Sequence, residues 1–203
     1  MNELNILLLF TLFFSVIIHE VAHGLTALWQ GDDTAEKAGR LTLNPIPHID
    51  LFGTIILPLI FFLSGSSLFL AWAKPVPYNP HNLKNKKWGE AMVALAGPVS
   101  NFLLMFVFIG LFYALKNTAN NFVLHFFYLA GFLNLFLGFF NLLPVVPLDG
   151  SKILFAFLPK SVSIKVRNFL EANYLYIFII FIIIILNTNF LFFWAESIYS
   201  LFW

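Results

Sequence analysis

Ile17-Ile18-His19-Glu20-Val21-Ala22-His23-Gly24 closes an apolar run that begins at Leu4 and carries no charge as far as Ile18. On a helix, residues i and i+4 share a face, so the two imidazoles can converge on one zinc ion. Glu20 then stands beside the metal, where it can take a proton from water. Two solvated histidines on a surface helix would be spelled the same way. The apolar setting argues against them, because ionisable groups within a membrane span are costly and need a partner. A metal ion supplies one.

The rest of the composition agrees with a membrane setting. The 203 residues are 60% hydrophobic and 19% aromatic, with only 10% charged. Charge-free runs recur at Leu51–Ala73, Ala91–Leu115, Asn117–Leu148 and Ala172–Ala195. A spanning helix needs about 20 apolar residues, so several of these qualify. The first run has no basic n-region or small-residue cleavage site, which argues against a removable signal peptide. No cysteine is present, so disulfides and thiolate metal sites are excluded. A net charge of +1 argues against nucleic acid as a partner. No stretch is long and polar enough for a separate soluble domain, so residues 1–203 are expected to form a single membrane-embedded domain.

Catalytic zinc usually takes three protein ligands. Outside the motif, His48, His81 and His125 fall in loops or at span edges, and most acidic residues sit in polar clusters. Asp149 differs. It follows the run Asn117–Leu148 within Asn141-Leu-Leu-Pro-Val-Val-Pro-Leu-Asp149-Gly150. The prolines break the helix before it, and Gly150 permits a tight turn after it. A plain helix N-cap for Ser151–Phe157 is the alternative role.

Whether Asp149 can reach the histidines depends on Leu51–Ala73. At ~1.5 Å per residue, His19 and His23 lie roughly 24–30 Å from the start of the first helix, toward its far side. If Leu51–Ala73 crosses, Asp149 arrives on the starting side, a membrane away. If it dips in and returns, Asp149 arrives beside the imidazoles. Ser64-Gly65-Ser66-Ser67 divides the segment into parts too short to span. Asp50 is a plausible cap for the first part, and Pro58 interrupts it. With the dip, ten of the eleven Lys and Arg residues share the motif side, against Lys116 alone on the other. A full crossing gives eight to three in the opposite sense. Positive residues favour the cytoplasm. The expectation is a multi-pass protein of the cell membrane, amino terminus outside, with the metal toward the cytoplasm.

Three ordered motifs resemble those of the site-2 protease family of intramembrane zinc metalloproteases: His19-Glu20-Val-Ala-His23, Ala96-Gly97-Pro98-Val-Ser-Asn101 and Asn141 to Gly150. Gly39-Arg-Leu-Thr-Leu-Asn44-Pro and Trp72-Ala-Lys-Pro-Val-Pro77 look like a short bacterial branch without a PDZ domain. The resemblance implies one Zn2+ per chain held by His19, His23 and Asp149. It also implies Glu20 as catalytic base, Asn141 near bound substrate, and single-span membrane proteins as substrates within the lipid bilayer. The fold expected is an all-α integral membrane protein with about four spanning helices, a re-entrant segment and a short membrane-associated β-hairpin. Gly39–Asn44 and Leu68–Ala73 would be the strands, able to take an unwound substrate by β-addition; an ordinary surface hairpin is the other possibility.

The small and polar stripes Ala130, Asn134, Gly138, Asn141 and Ala94, Gly97, Asn101 read as packing faces. Asn101 or Asn141 could also face the metal cavity. His48 could support the site or simply belong to a turn, while His81 and His125 read as interfacial. Residues 190–203 would lie along the interface or pack as a half-helix. A polytopic transporter, or a metal-binding membrane scaffold without protease activity, is the competing function. A transporter would need polar residues through the whole depth, and here they gather toward one side.

Overall fold

A computed structural model describes residues 3–56, 60, 63, 73–188 and 190–202. Three long helices form its frame: α1 (Glu3–Trp29), α3 (Gly89–Leu115) and α4 (Asn121–Leu142). Each is long and apolar enough to cross a membrane. Between α1 and α3 lies the single turn α2 (Thr34–Lys37). After α4 come α5 (Asp149–Phe157), α6 (Lys160–Ala172), α7 (Tyr174–Thr188) and α8 (Phe190–Tyr199). The pair α6 and α7 is bent by 77° and offers a fourth apolar passage. The chain is thus a multi-pass membrane protein, built among its described residues from helices and loops.

Helix α3 is central, touching α1, α4 and α5. Its small residues explain the position: Ala91, Ala94 and Gly97 are buried and let neighbouring backbones approach closely. Outward-facing Phe10, Leu103, Phe106 and Val107 are each more than half exposed, as expected of side chains that meet lipid rather than water. At the far end of the bundle, Met105, Ile109, Leu135, Ala195 and Tyr199 form an apolar cluster. Tyr199 closes it by donating to the Tyr128 carbonyl at 2.9 Å. The carboxy-terminal segment therefore packs as a half-helix against α4.

The end of α1 and the start of α3 are joined directly. Gln30 Nε2 donates to the Gly89 carbonyl at 3.1 Å, and Lys84 N–H donates to the Gln30 carbonyl at 2.9 Å. The chain thus leaves after Gln30 and returns before Gly89 at one end of the bundle, and most of Leu51–Ala73 lies outside the described residues. Asp50 caps the π-helical turn Leu51–Ile56 by accepting from Gly53 N–H at 2.7 Å. The serine-rich break at 64–67 lies outside the described residues.

The expected β-hairpin is not found among the described residues. Gly39–Asn44 is irregular, with bends at Leu41–Leu43, and of its supposed partner only Ala73 is described. Local side-chain bonds replace a ladder here. Asn44 N–H donates to Thr42 Oγ1, Asn44 Oδ1 accepts from Ile46 N–H, and buried His48 bonds the Thr42 carbonyl through Nε2 at 2.9 Å. Such Asx and ST turns compete with strand pairing. The His48 ring therefore serves the turn, while His81 and His125 are exposed.

Candidate metal centre

His19 and His23 lie one turn apart on α1 and are both buried. Asp149, in the first turn of α5, does not act as the helix cap; its carboxylate points instead at both rings. Asp149 Oδ2 is 3.1 Å from His19 Nε2 and 3.2 Å from His23 Nε2. The topology explains the meeting. Helix α4 runs back toward the end where α1 finishes, and α5 then folds across α3.

Hydrogen bonds on the outer sides of the rings fix what their inner sides offer. His23 Nδ1 lies 2.7 Å from the Val93 carbonyl, which can only accept, so this nitrogen carries the proton. His19 Nδ1 lies 2.6 Å from Asn101 Oδ1. The direction of that bond follows from a chain of amides. Asn134 Nδ2 donates to the Ala130 carbonyl at 2.9 Å, leaving its Oδ1 to accept from Asn101 Nδ2 at 3.2 Å. Asn101 Oδ1 must then accept from His19. In neutral imidazoles both Nε2 atoms consequently present lone pairs toward the Asp149 carboxylate. Three acceptors converge with no donor among them, a set that suits a cation. Zinc bonds of about 2.0–2.1 Å in a tetrahedron place ligand atoms roughly 3.3 Å apart, close to the distances seen.

Glu20 completes the cluster. A carboxylate oxygen and one nitrogen from each imidazole lie within 4.8 Å of one another. Glu20 Oε2 accepts from the Val76 N–H at 2.7 Å. Val76 stands between Pro75 and Pro77, so this is the single backbone donor of that tripeptide. The segment is anchored twice at Lys74: its N–H donates to the His48 carbonyl at 2.9 Å, and the buried Arg40 donates to its carbonyl at 2.6 Å through Nη2.

Two glycines permit these approaches. A β-carbon at Gly97 would overlap both imidazoles. One at Gly24, a turn beyond Glu20, would press on Leu41 and Val76. Asn141 is half-buried and bonds the Leu137 carbonyl of its own helix at 3.0 Å. Sequence reasoning had no means of finding Val93 and Val76, whose contributions come from the backbone. Asn134 was visible only as one member of a packing stripe.

Peptidase family M50 matches residues 109–185, a span that includes Asp149 and leaves the His19–His23 motif outside. Across most of the chain there is similarity to "Putative zinc metalloprotease YwhC" of Bacillus subtilis, 38% identical over 184 residues, 86% of this chain and 80% of that protein. The similarity to "Zinc metalloprotease MJ0392" of Methanocaldococcus jannaschii is 28% over 92% of this chain and 47% of that longer protein. No solved structure matches.

Proposed function

The chain belongs to peptidase family M50, and from that premise we propose that it is an intramembrane endopeptidase whose substrates are single-span membrane proteins. As a member it is a zinc metalloprotease, with Zn2+ as cofactor. The proposal places that ion on His19 Nε2, His23 Nε2 and Asp149 Oδ2. One observation carries the assignment: three oriented acceptors, buried together at one end of an apolar bundle, with a carboxylate alongside.

Bound zinc supplies Lewis-acid polarisation of a carbonyl and acidification of water. The chain's own residues do the rest. Glu20 accepts the proton of the attacking water and returns it to the leaving amine. The Val76 N–H aims the Glu20 carboxylate. Asn101 and the Val93 carbonyl hold the imidazoles in the orientation and tautomer that ligation requires. The peptide bond to be cut must leave its own helix before it can be attacked, because helical hydrogen bonds hide its carbonyl. Asn141, through the family resemblance, is assigned to the bound substrate. It would exchange its bond to Leu137 for one to the unwound segment.

Purified protein, given a detergent-solubilised single-span substrate, should cleave it. Glu20→Gln should stop cleavage and keep stoichiometric zinc. Cleavage surviving that substitution would remove Glu20 as the base. Zinc retained in full by Asp149→Asn would remove the third ligand.

A further inference from the structure

A groove of about 720 Å³ opens at the same end of the bundle as the metal centre, on a different set of residues. Two stretches far apart in sequence build it, the turn leading into α3 and the α5–α6 corner. Lys86, Lys87, Lys152, Lys160 and Arg167 line it, against the single carboxylate of Glu90. Arg167 and Glu90 neutralise each other in a two-pronged ion pair. Four lysines remain around one cavity in a protein whose whole net charge is +1. Their present partners are weak or neutral. Lys86 reaches a backbone carbonyl, Lys87 lies over the Trp88 ring, and Lys152 stands 3.4 Å from Asp149 Oδ1.

The rest of the groove is apolar. Leu83, Phe155, Ala156 and Leu158 line it between the cations. Lys160, Ser163, Ile164 and Arg167 fall at i, i+3, i+4 and i+7, so one face of α6 forms a wall. Phe157, just before α6, and Phe169, within it, are about two-thirds exposed. A basic amphipathic helix with exposed aromatics, bent sharply away from an apolar helix, suits the headgroup layer of a bilayer. Basic pockets at that depth attract anionic headgroups.

We propose that this groove binds the phosphate headgroup of an anionic phospholipid, the lysines taking the phosphate and the apolar lining taking the first part of an acyl chain. A free phosphate would satisfy the lysines alone and leave the apolar lining unused. The inference needs no catalytic role for any residue, so its failure leaves the protease assignment untouched.

The test is a titration of purified, zinc-loaded protein in detergent with monomeric dihexanoyl phosphatidylglycerol. Dihexanoyl phosphatidylcholine and inorganic phosphate serve as the other two ligands. Saturable binding of the phosphatidylglycerol is expected, at least tenfold tighter than of either. The triple variant Lys86→Gln, Lys87→Gln, Lys160→Gln should weaken it at least tenfold with unchanged zinc content. Ile164→Glu, which sets a carboxylate on the groove wall, should do the same. Equal binding of phosphatidylcholine, or undiminished binding in both variants, overturns the proposal. Displacement by inorganic phosphate at equal concentration overturns the lipid as its source.

Discussion

At the scale of single residues, the centre depends on groups that never touch a metal. Gly97 is the clearest case, because two imidazoles occupy the space its side chain would take. Gly97→Ala should weaken zinc binding about tenfold or more, measured by competition with a chromophoric chelator. Asn101 holds His19 at the end of an amide chain anchored on the Ala130 carbonyl. Asn101→Leu should cost about 10–100-fold in zinc affinity. Asn101→Asp keeps an acceptor at that oxygen and should lose less; equal losses in the two would deny Asn101 its orienting role. The motif was legible in sequence because imidazole and carboxylate chemistry is carried by residue identity. The carbonyl of Val93 and the N–H of Val76 were not, since every residue but proline carries both groups.

At the scale of elements, the non-helical segment 74–76 matters as much as any helix. Val76→Pro removes the N–H that Glu20 accepts. Peptidase activity should fall by about tenfold or more, as for loss of one charge-assisted hydrogen bond of about 1.5–3 kcal/mol, with zinc content unchanged. Activity equal to wild type would show that Glu20 needs no such donor. The adjoining loop hangs on Asp32, fully buried at the end of α1, which accepts from Thr34 Oγ1, Asn79 N–H and Asn82 Nδ2. Burial would raise this carboxyl, but those donors prevail and hold it below the ordinary aspartate value. Its stabilisation is therefore complete above the pKa of an unfolded aspartate and disappears as pH falls through the lower folded value. Asp32→Asn should lower stability by about 1–3 kcal/mol at neutral pH, and its melting temperature should respond less to acid than the wild type's. The β-hairpin was misread at this scale. The alternation of Leu41 and Leu43 suggested a strand, but Thr42, Asn44 and His48 spend the local backbone on turns.

At the scale of the whole molecule, counting crossings predicted that Asp149 would meet the histidines, and the ion-pair geometry agrees. That expectation rests on a membrane allowing a helix only two ends. It gave no detail of the path between them, where turn chemistry rather than hydropathy decides. Orientation in the cell can be read with single cysteines, as the chain has none of its own. A cysteine at Asn85 should react with impermeant reagent only from the cytoplasm, and one at Asn117 only from outside. The reverse pattern would invert the proposed topology.

The clasp of Gln30 with Gly89 and Lys84 turns the excursion between them into a closed detour. Lengthening such a detour adds only a slowly growing entropic penalty, and the three long helices need not shift to accommodate it. The segment 74–76 must still reach Glu20, so any such lengthening falls to the parts of the detour on either side of it, while the helix that carries the imidazoles stays put.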